Sequence, residues 1–166
     1  LGETGLDFHY NFSKQQAQRE LFKKFIETAS LTRLPLIIHS RNAFEDTIQI
    51  LEKYADRTTK IVFHCWSGTV EQTRELIDRG YFISFTGIIT FKNAELTRQC
   101  VKTVPLDRMM LETDCPFMSP EPMRRQKINE PAFLIHTAQK AAELKGVDIE
   151  TLAEKLERNT REFFGI

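Results

Sequence analysis

Short apolar runs recur along the chain, and a stretch of helical periodicity separates each from the next: LPLIIH (34–39), KIVFHC (60–65), YFISF (81–85) and RMMLE (108–112). The runs are apolar throughout instead of alternating apolar with polar, as expected of strands buried on both faces. Residues 13–33 set Leu21, Phe22, Phe25, Ile26 and Ala29 at helical spacing, with Ser13 and Gln16 placed as a capping box. Residues 42–55 carry Phe44, Ile48, Leu51 and Tyr54 on one side. A helix over 69–79 opens on a Thr69/Gln72 capping box and stops at Gly80. Further helices are predicted at 93–104, 129–145, 148–157 and 159–164, and residues 1–3 read as the end of a strand already in progress. Strands alternating with helices at this spacing indicate βα units and a parallel sheet.

Five strands are visible. A closed (β/α)8 barrel needs eight strands and roughly 250 residues. The 166-residue chain is therefore read as a single domain, 1–166, covering about the last five βα units of a (β/α)8 TIM barrel, with an N-terminal piece missing. The competing architecture is a small open doubly wound sheet. Its usual phosphate loops, GxGxxG or GxxxxGK[ST], do not occur.

Formal net charge is zero, which argues against a broad basic stripe for nucleic acid or an anionic membrane. Cys65, Cys100 and Cys115 are odd in number and lack CxxC spacing, so they read as thiols of a reducing compartment, and a cytoplasmic location is expected. No run of about 18 apolar residues predicts a membrane span.

The chemistry gathers where strands end. Glu3, His39, His64 and Asp114 each close a predicted strand, and in a barrel such ends share one rim, where active sites form. Two imidazoles and two carboxylates make a nitrogen and oxygen donor set for a divalent cation. The same set explains MMLETDCP (109–116): a cation offsets the cost of a carboxylate at the end of an apolar strand. Each residue has a plainer alternative. His39 and His64 could be satisfied core histidines, Asp114 the cap of a turn and Glu3 a loop carboxylate. Four strands ending alike is the more specific signal. Glu112, one residue off the strand's inward parity, reads as support for a basic loop residue. His9 lies in a loop near the rim, or faces solvent. Arg41 and the cluster Arg124, Arg125 and Lys127 could hold phosphates, or be solvated surface. Trp66 and Phe91 could stack bases or pack, and His136 reads as helix packing.

The motifs GETGLD (2–7), PLIIHSR (35–41), FHCWSG (63–68), ETDCP (112–116), NEP (129–131) and the closing NTREFFGI resemble, in order and spacing, the signatures of TatD-like metal-dependent deoxyribonucleases. The resemblance covers the whole chain and implies an amidohydrolase-like (β/α)8 barrel. It implies a hydrolase that cleaves phosphodiester bonds of DNA, as an exonuclease, by a metal-activated water. Two divalent cations per intact subunit are implied, with zinc, magnesium and manganese equally admissible. Two ions about 3.5–4 Å apart clamp the attacking and leaving oxygens. By resemblance Glu3 bridges them, His39 and His64 complete one site, and Asp114 binds the other and handles the proton of the attacking water. Substrate contacts fall on His9, Arg41 and Arg124, with Arg125 an alternative to Arg124. The family's His-x-His pair occurs nowhere in this sequence, which fits a missing N-terminus. Alternatives are an amidohydrolase-type C–N or ester hydrolase on the same barrel, or an inactive fragment. DNA is the expected partner, with no membrane and no obligate protein partner.

Overall fold

The computed structural model describes residues 1–10 and 12–166. The chain divides into two compact units, Leu1–His64 and Cys65–Ile166.

The first unit is built on three parallel strands, β1 (Thr4–Asp7), β2 (Leu36–Arg41) and β3 (Ile61–Phe63). Helix α1 (Gln15–Thr32) joins β1 to β2, and α2 (Phe44–Tyr54) joins β2 to β3. The register sets Gly5 opposite His39 and Asp7 opposite Arg41, and Ile38 opposite Phe63. Thr4 and Leu6 are buried while Gly5 and Asp7 are less so; Leu36 and Ile38 are buried while Ile37 and His39 are less so. Side chains alternate between faces. Gly5, Asp7, His39 and Arg41 therefore share one face, and Leu6 and Ile38 the other. The second face is sealed by apolar burial: Leu6, Leu36, Ile38, Phe22, Ile26 and Ala29 are fully buried.

Helix α1 does not open on the expected capping box. Its N-cap is Lys14, with no side-chain cap. Instead Gln18 reaches back to β1: its Oε1 accepts from the Asp7 N–H at 2.8 Å, and its Nε2 donates to the Asp7 carbonyl at 3.0 Å and the Ser13 carbonyl at 3.2 Å. One side chain thus satisfies both backbone groups of the last β1 residue and ties the helix to the strand end.

The second unit holds α3 (Val70–Asp78), β4 (Phe82–Phe85), α4 (Glu95–Thr103), β5 (Met109–Leu111), α5 (Leu134–Lys145) and α6 (Ile149–Phe164). Strands β4 and β5 are parallel, with Ser84 opposite Met110. The Thr69/Gln72 capping box forms in both directions, at 3.2 and 3.0 Å. Gly80 adopts φ +77° just past α3, the left-handed conformation for which glycine carries no side-chain penalty. The predicted break at residue 158 is absent: α6 runs unbroken, capped by the Asp148 carboxylate on the Thr151 N–H at 2.6 Å. The buried Asn159 on that helix donates to the carbonyls of Leu106 (2.6 Å) and Met109 (2.8 Å), bracing the entry to β5. His136 is half-buried on α5, as predicted.

Candidate metal centre

The face shared by β1 and β2 carries the centre. Gly5 lies between Glu3 and Asp7, and a Cβ there would be driven into the His39 carbonyl of the neighbouring strand. Its φ of +145° is also closed to side chains. The missing side chain lets β2 approach and leaves room on this face for the His39 ring. His64, directly after β3, continues the ladder by donating its N–H to the Ile38 carbonyl at 3.0 Å, so it faces the same way as His39.

Three atoms converge as a result. Glu3 Oε1 lies 3.0 Å from His39 Nδ1 and 2.6 Å from His64 Nε2, and the two ring nitrogens are 3.1 Å apart. The far nitrogen of His39, Nε2, lies 3.1 Å from Asp7 Oδ2. The other oxygen of Asp7, Oδ1, accepts from the N–H groups of His9 (2.8 Å) and Tyr10 (3.2 Å). His64 is 8% exposed, the most buried of the three residues.

This donor set fits a divalent cation. A neutral His39 that keeps its proton on Nε2, toward Asp7, presents a bare Nδ1 to a carboxylate and to a second ring nitrogen. Three acceptors facing one another need a positive charge between them. A carboxylate on the outer nitrogen of a ligating histidine is also the usual support for its ring orientation. Without a cation the charge must come from protons. Accordingly, hydrogen bonds from His39 and His64 hold the Glu3 carboxyl well below its ordinary range, against burial. The Glu3 contact raises His39, burial opposes it, and Asp7 adds to the rise. On Asp7 burial pushes upward, but the Tyr10 and His9 amides and His39 together bring its carboxyl below the ordinary value.

The centre corrects two expectations. Glu3 precedes β1 instead of closing a strand, and His39 lies inside β2, whose pairing continues to Arg41. Asp7 went unread in the sequence although it lies in the GETGLD motif. Its signal is parity: it stands two and four residues beyond Gly5 and Glu3 on one face of a strand.

The other candidates are distributed as follows. Arg41 ends β2 with its guanidinium 4.9 Å from the Tyr10 ring centroid. His9 is exposed, its Nδ1 3.5 Å from Asn42 Nδ2. In the second unit, Asp114 follows β5 in a left-handed conformation (φ +56°) that Asp tolerates better than most residues, and its carbonyl accepts from the Phe117 N–H at 2.9 Å. The buried Asn129 braces this turn, its Nδ2 donating to the carbonyls of Thr113 (2.7 Å) and Phe117 (2.6 Å). Glu112 accepts from the Cys65 N–H at 2.8 Å, a backbone partner that the sequence reading did not anticipate. Arg124 is exposed in the turn Met123–Arg125, its guanidinium 3.6 Å from the Phe91 ring centroid. Trp66 is buried with its indole N–H donating to Thr73 at 2.8 Å, so it packs and does not offer a face for stacking.

A barrel-type α/β fold with parallel strands and a histidine–carboxylate centre define a class of metal-dependent hydrolase. The family model described as TatD related DNase matches residues 1–165, and the chain belongs to that family. Over its full length the chain is 39% identical to the protein named uncharacterized metal-dependent hydrolase YabD of Bacillus subtilis, covering 65% of it. It is 34% identical over 172 aligned positions to the protein named 3'-5' ssDNA/RNA exonuclease TatD of Citrobacter rodentium, again covering 65% of the relative. The crystal structure of the TatD homologue YjjV from Escherichia coli superposes with a TM-score of 0.90 at 29% identity, over 99% of this chain and 63% of that one. The chain therefore spans a little under two thirds of the relatives it matches. No helix among the described residues is long and apolar enough to cross a membrane.

Proposed function

We propose that the chain is the C-terminal part of a TatD-like barrel and that it carries the centre of a divalent-metal-dependent phosphodiesterase acting on DNA as an exonuclease. The carrying observation is the meeting of Glu3, His39 and His64, whose ligand atoms all lie within 4.8 Å of one another, in a chain of this family. A divalent cation held there supplies Lewis-acid chemistry, acidifying water and offsetting charge on a phosphate oxygen.

The residues around it have separable tasks in this reading. Asp7 fixes the His39 ring so that Nδ1 is the donor. Glu3 contributes the anionic ligand, and His64 a buried neutral one. Asp114 would bind the second divalent cation and take the proton from the attacking water. Arg41 and Arg124 bind the non-bridging phosphate oxygens, with His9 beside Arg41 on the first unit. A C–N or ester hydrolase on the same scaffold is the competing reading. The name of the TatD relative, an exonuclease of single-stranded DNA and RNA, favours the phosphodiester.

Metal content and DNA hydrolysis, measured together, test the proposal. Elemental analysis of the parent protein should find bound divalent metal, lost in the Glu3→Ala, His64→Ala double variant. A single-stranded oligonucleotide should release mononucleotides in the presence of zinc, magnesium or manganese, and chelation should stop it. Bound metal together with turnover of amides or esters, and none of DNA, refutes the nuclease assignment.

A further inference from the structure

Beside the centre, Tyr10 and Phe12 turn their aromatic rings outward. Phe12 is 90% exposed and Tyr10 44%, and their rings are stacked, with centroids 5.1 Å apart and planes inclined by 23°. Single exposed apolar side chains are ordinary. A stacked pair held in the open is different, because each ring gives up contact with its own core. The pair also borders a groove of about 560 Å³ whose walls include Glu3, Asp7, Phe25 and His39. The rings and the centre thus share one space.

The backbone that carries Tyr10 is tied to the centre. The Tyr10 amide is held by Asp7 Oδ1 at 3.2 Å, and Asp7 Oδ2 meets His39 Nε2 at 3.1 Å. One carboxylate therefore sets both the His39 ring and the backbone that carries Tyr10. The His9 ring packs edge-on against Tyr10 at 4.6 Å, and the Arg41 guanidinium stands 4.9 Å from the Tyr10 centroid. A guanidinium near an aromatic face stays partly desolvated and available to an anion. Flat rings next to a fixed cation, on the rim of a hydrolytic centre, suit a ligand with a planar apolar face and a phosphate attached to it.

We propose that Tyr10 and Phe12 form a platform on which an unpaired nucleobase of the substrate stacks, setting its phosphate between Arg41 and the Glu3–His39–His64 cluster. The proposal rests on the nuclease reading above and adds to it the residues that select single-stranded substrate. A paired base has both faces covered by its neighbours in the duplex, whereas a free one offers a face to an aromatic ring. Every base has such a face, so the platform does not discriminate sequence.

The test uses manganese-loaded protein and two short phosphorothioate probes, which resist cleavage: an oligothymidylate, and an abasic oligomer with the same number of phosphates. The protein should bind the oligothymidylate on the order of 10- to 100-fold more tightly. Phe12→Ala and Tyr10→Ala should lose that preference while keeping the affinity for the abasic probe and the parent's circular dichroism spectrum. Phe12→Tyr should retain the preference, which separates stacking from general packing. Equal affinity for the two probes, binding of neither, or a preference that survives both alanine variants overturns the platform. Hydrolysis of an unmodified oligonucleotide is measured on the same preparations. Hydrolysis without a base preference defeats the platform alone, whereas a base preference without hydrolysis supports the platform and defeats the nuclease reading.

Discussion

Asn129 offers the sharpest test of how the Asp114 turn is held. The residue is 3% exposed, and its Nδ2 donates to two carbonyls, those of Thr113 and Phe117, on either side of Asp114. Only the amide nitrogen can serve two acceptors, so the orientation of the side chain is settled by its partners. Asn129→Ala removes both bonds, each worth about 1 kcal/mol net. Thr113 is half-buried and Phe117 exposed, so water can reach the freed carbonyls in part. The deletion also removes a liability, because Asn129 Oδ1 is buried with no hydrogen-bond partner among the described residues. The expected loss is therefore about 2 kcal/mol, which moves a urea midpoint by about 1 M at the usual slopes. Asn129→Asp is the more telling change. It keeps the volume but places a second acceptor, and a charge, against the two carbonyls, so it should cost more than the alanine, about 3 kcal/mol or above. Equilibrium urea unfolding of the three proteins by circular dichroism decides the order. If the aspartate variant is as stable as the parent, or more stable than the alanine variant, the two carbonyl bonds do not hold this turn and the reasoning fails.

Three further outcomes follow from the centre. Gly5→Ala should destabilise the protein by at least about 3 kcal/mol, because its Cβ meets the backbone of β2 and its φ is unfavourable; urea unfolding reads the loss, and a stable variant would mean the strands can part. Asp7→Asn should weaken cation binding by about 10- to 100-fold while leaving the fold intact, as measured by metal titration calorimetry. In chelator-treated protein, Glu3 and His39 give stability opposite pH limits. The Glu3 carboxyl is depressed below 4.5, so its contribution is complete above that value and lost as the pH falls through the depressed one. His39 is raised above 6.5, so its contribution is complete below 6.5 and lost as the pH rises through the raised value. The metal-free melting temperature should therefore peak between about pH 4.5 and 6.5, and Glu3→Gln should flatten both limbs. A variant curve parallel to the parent's would refute the assignment.

What the sequence disclosed, and what it hid, divides along physical lines. Fold class was legible because burial on both faces leaves strands apolar throughout, and the helices between them keep a 3.6-residue period. The Thr69/Gln72 box was legible because both partners are local. The Ser13/Gln16 pair looked the same and formed no cap; the Gln18 bonds to β1, eleven residues away, are absent from any local pattern. The first strand was read as ending at residue 3, whereas it runs from Thr4 to Asp7 and Gly5 within it is the residue that lets two strands approach. His39 was placed at a strand end because polarity was taken for the end of pairing, which continues two residues further. Of the centre, Glu3, His39 and His64 could be named because metal-ligating residue types stood out against apolar runs.

The polar residues that brace strands and turns could not be named that way. Asp7, Asn129 and Asn159 are ordinary polar residues in sequence. Each acts through a contact with a distant strand or turn: Asp7 with His39, Asn129 with the Thr113 and Phe117 carbonyls, Asn159 with the carbonyls around the start of β5. The pattern has a cause. Strands β3 and β5 are short, three residues each, so their paired registers end before His64 and Asp114 are reached. His64 and Asp114 both lie past the last paired residue of their strands. The N–H of His64 still bonds to the Ile38 carbonyl, whereas Asp114 lies in a turn that needs another brace, and a hydrolytic centre requires its residues held closely. Buried amide side chains with two donors aimed at two carbonyls can do so at the end of a strand, where a longer ladder would close the rim. Substitutions at Asn129 and Asn159 should therefore differ in kind. Asn159→Ala loosens the entry to β5 and leaves the Asn129 bonds intact, and should cost stability with little change in turnover per folded molecule. Asn129→Ala loosens the turn that carries Asp114, and should lower turnover by more than its stability loss accounts for. Equal ratios of activity loss to stability loss in the two variants would show that the turn after β5 is held by something other than its asparagine.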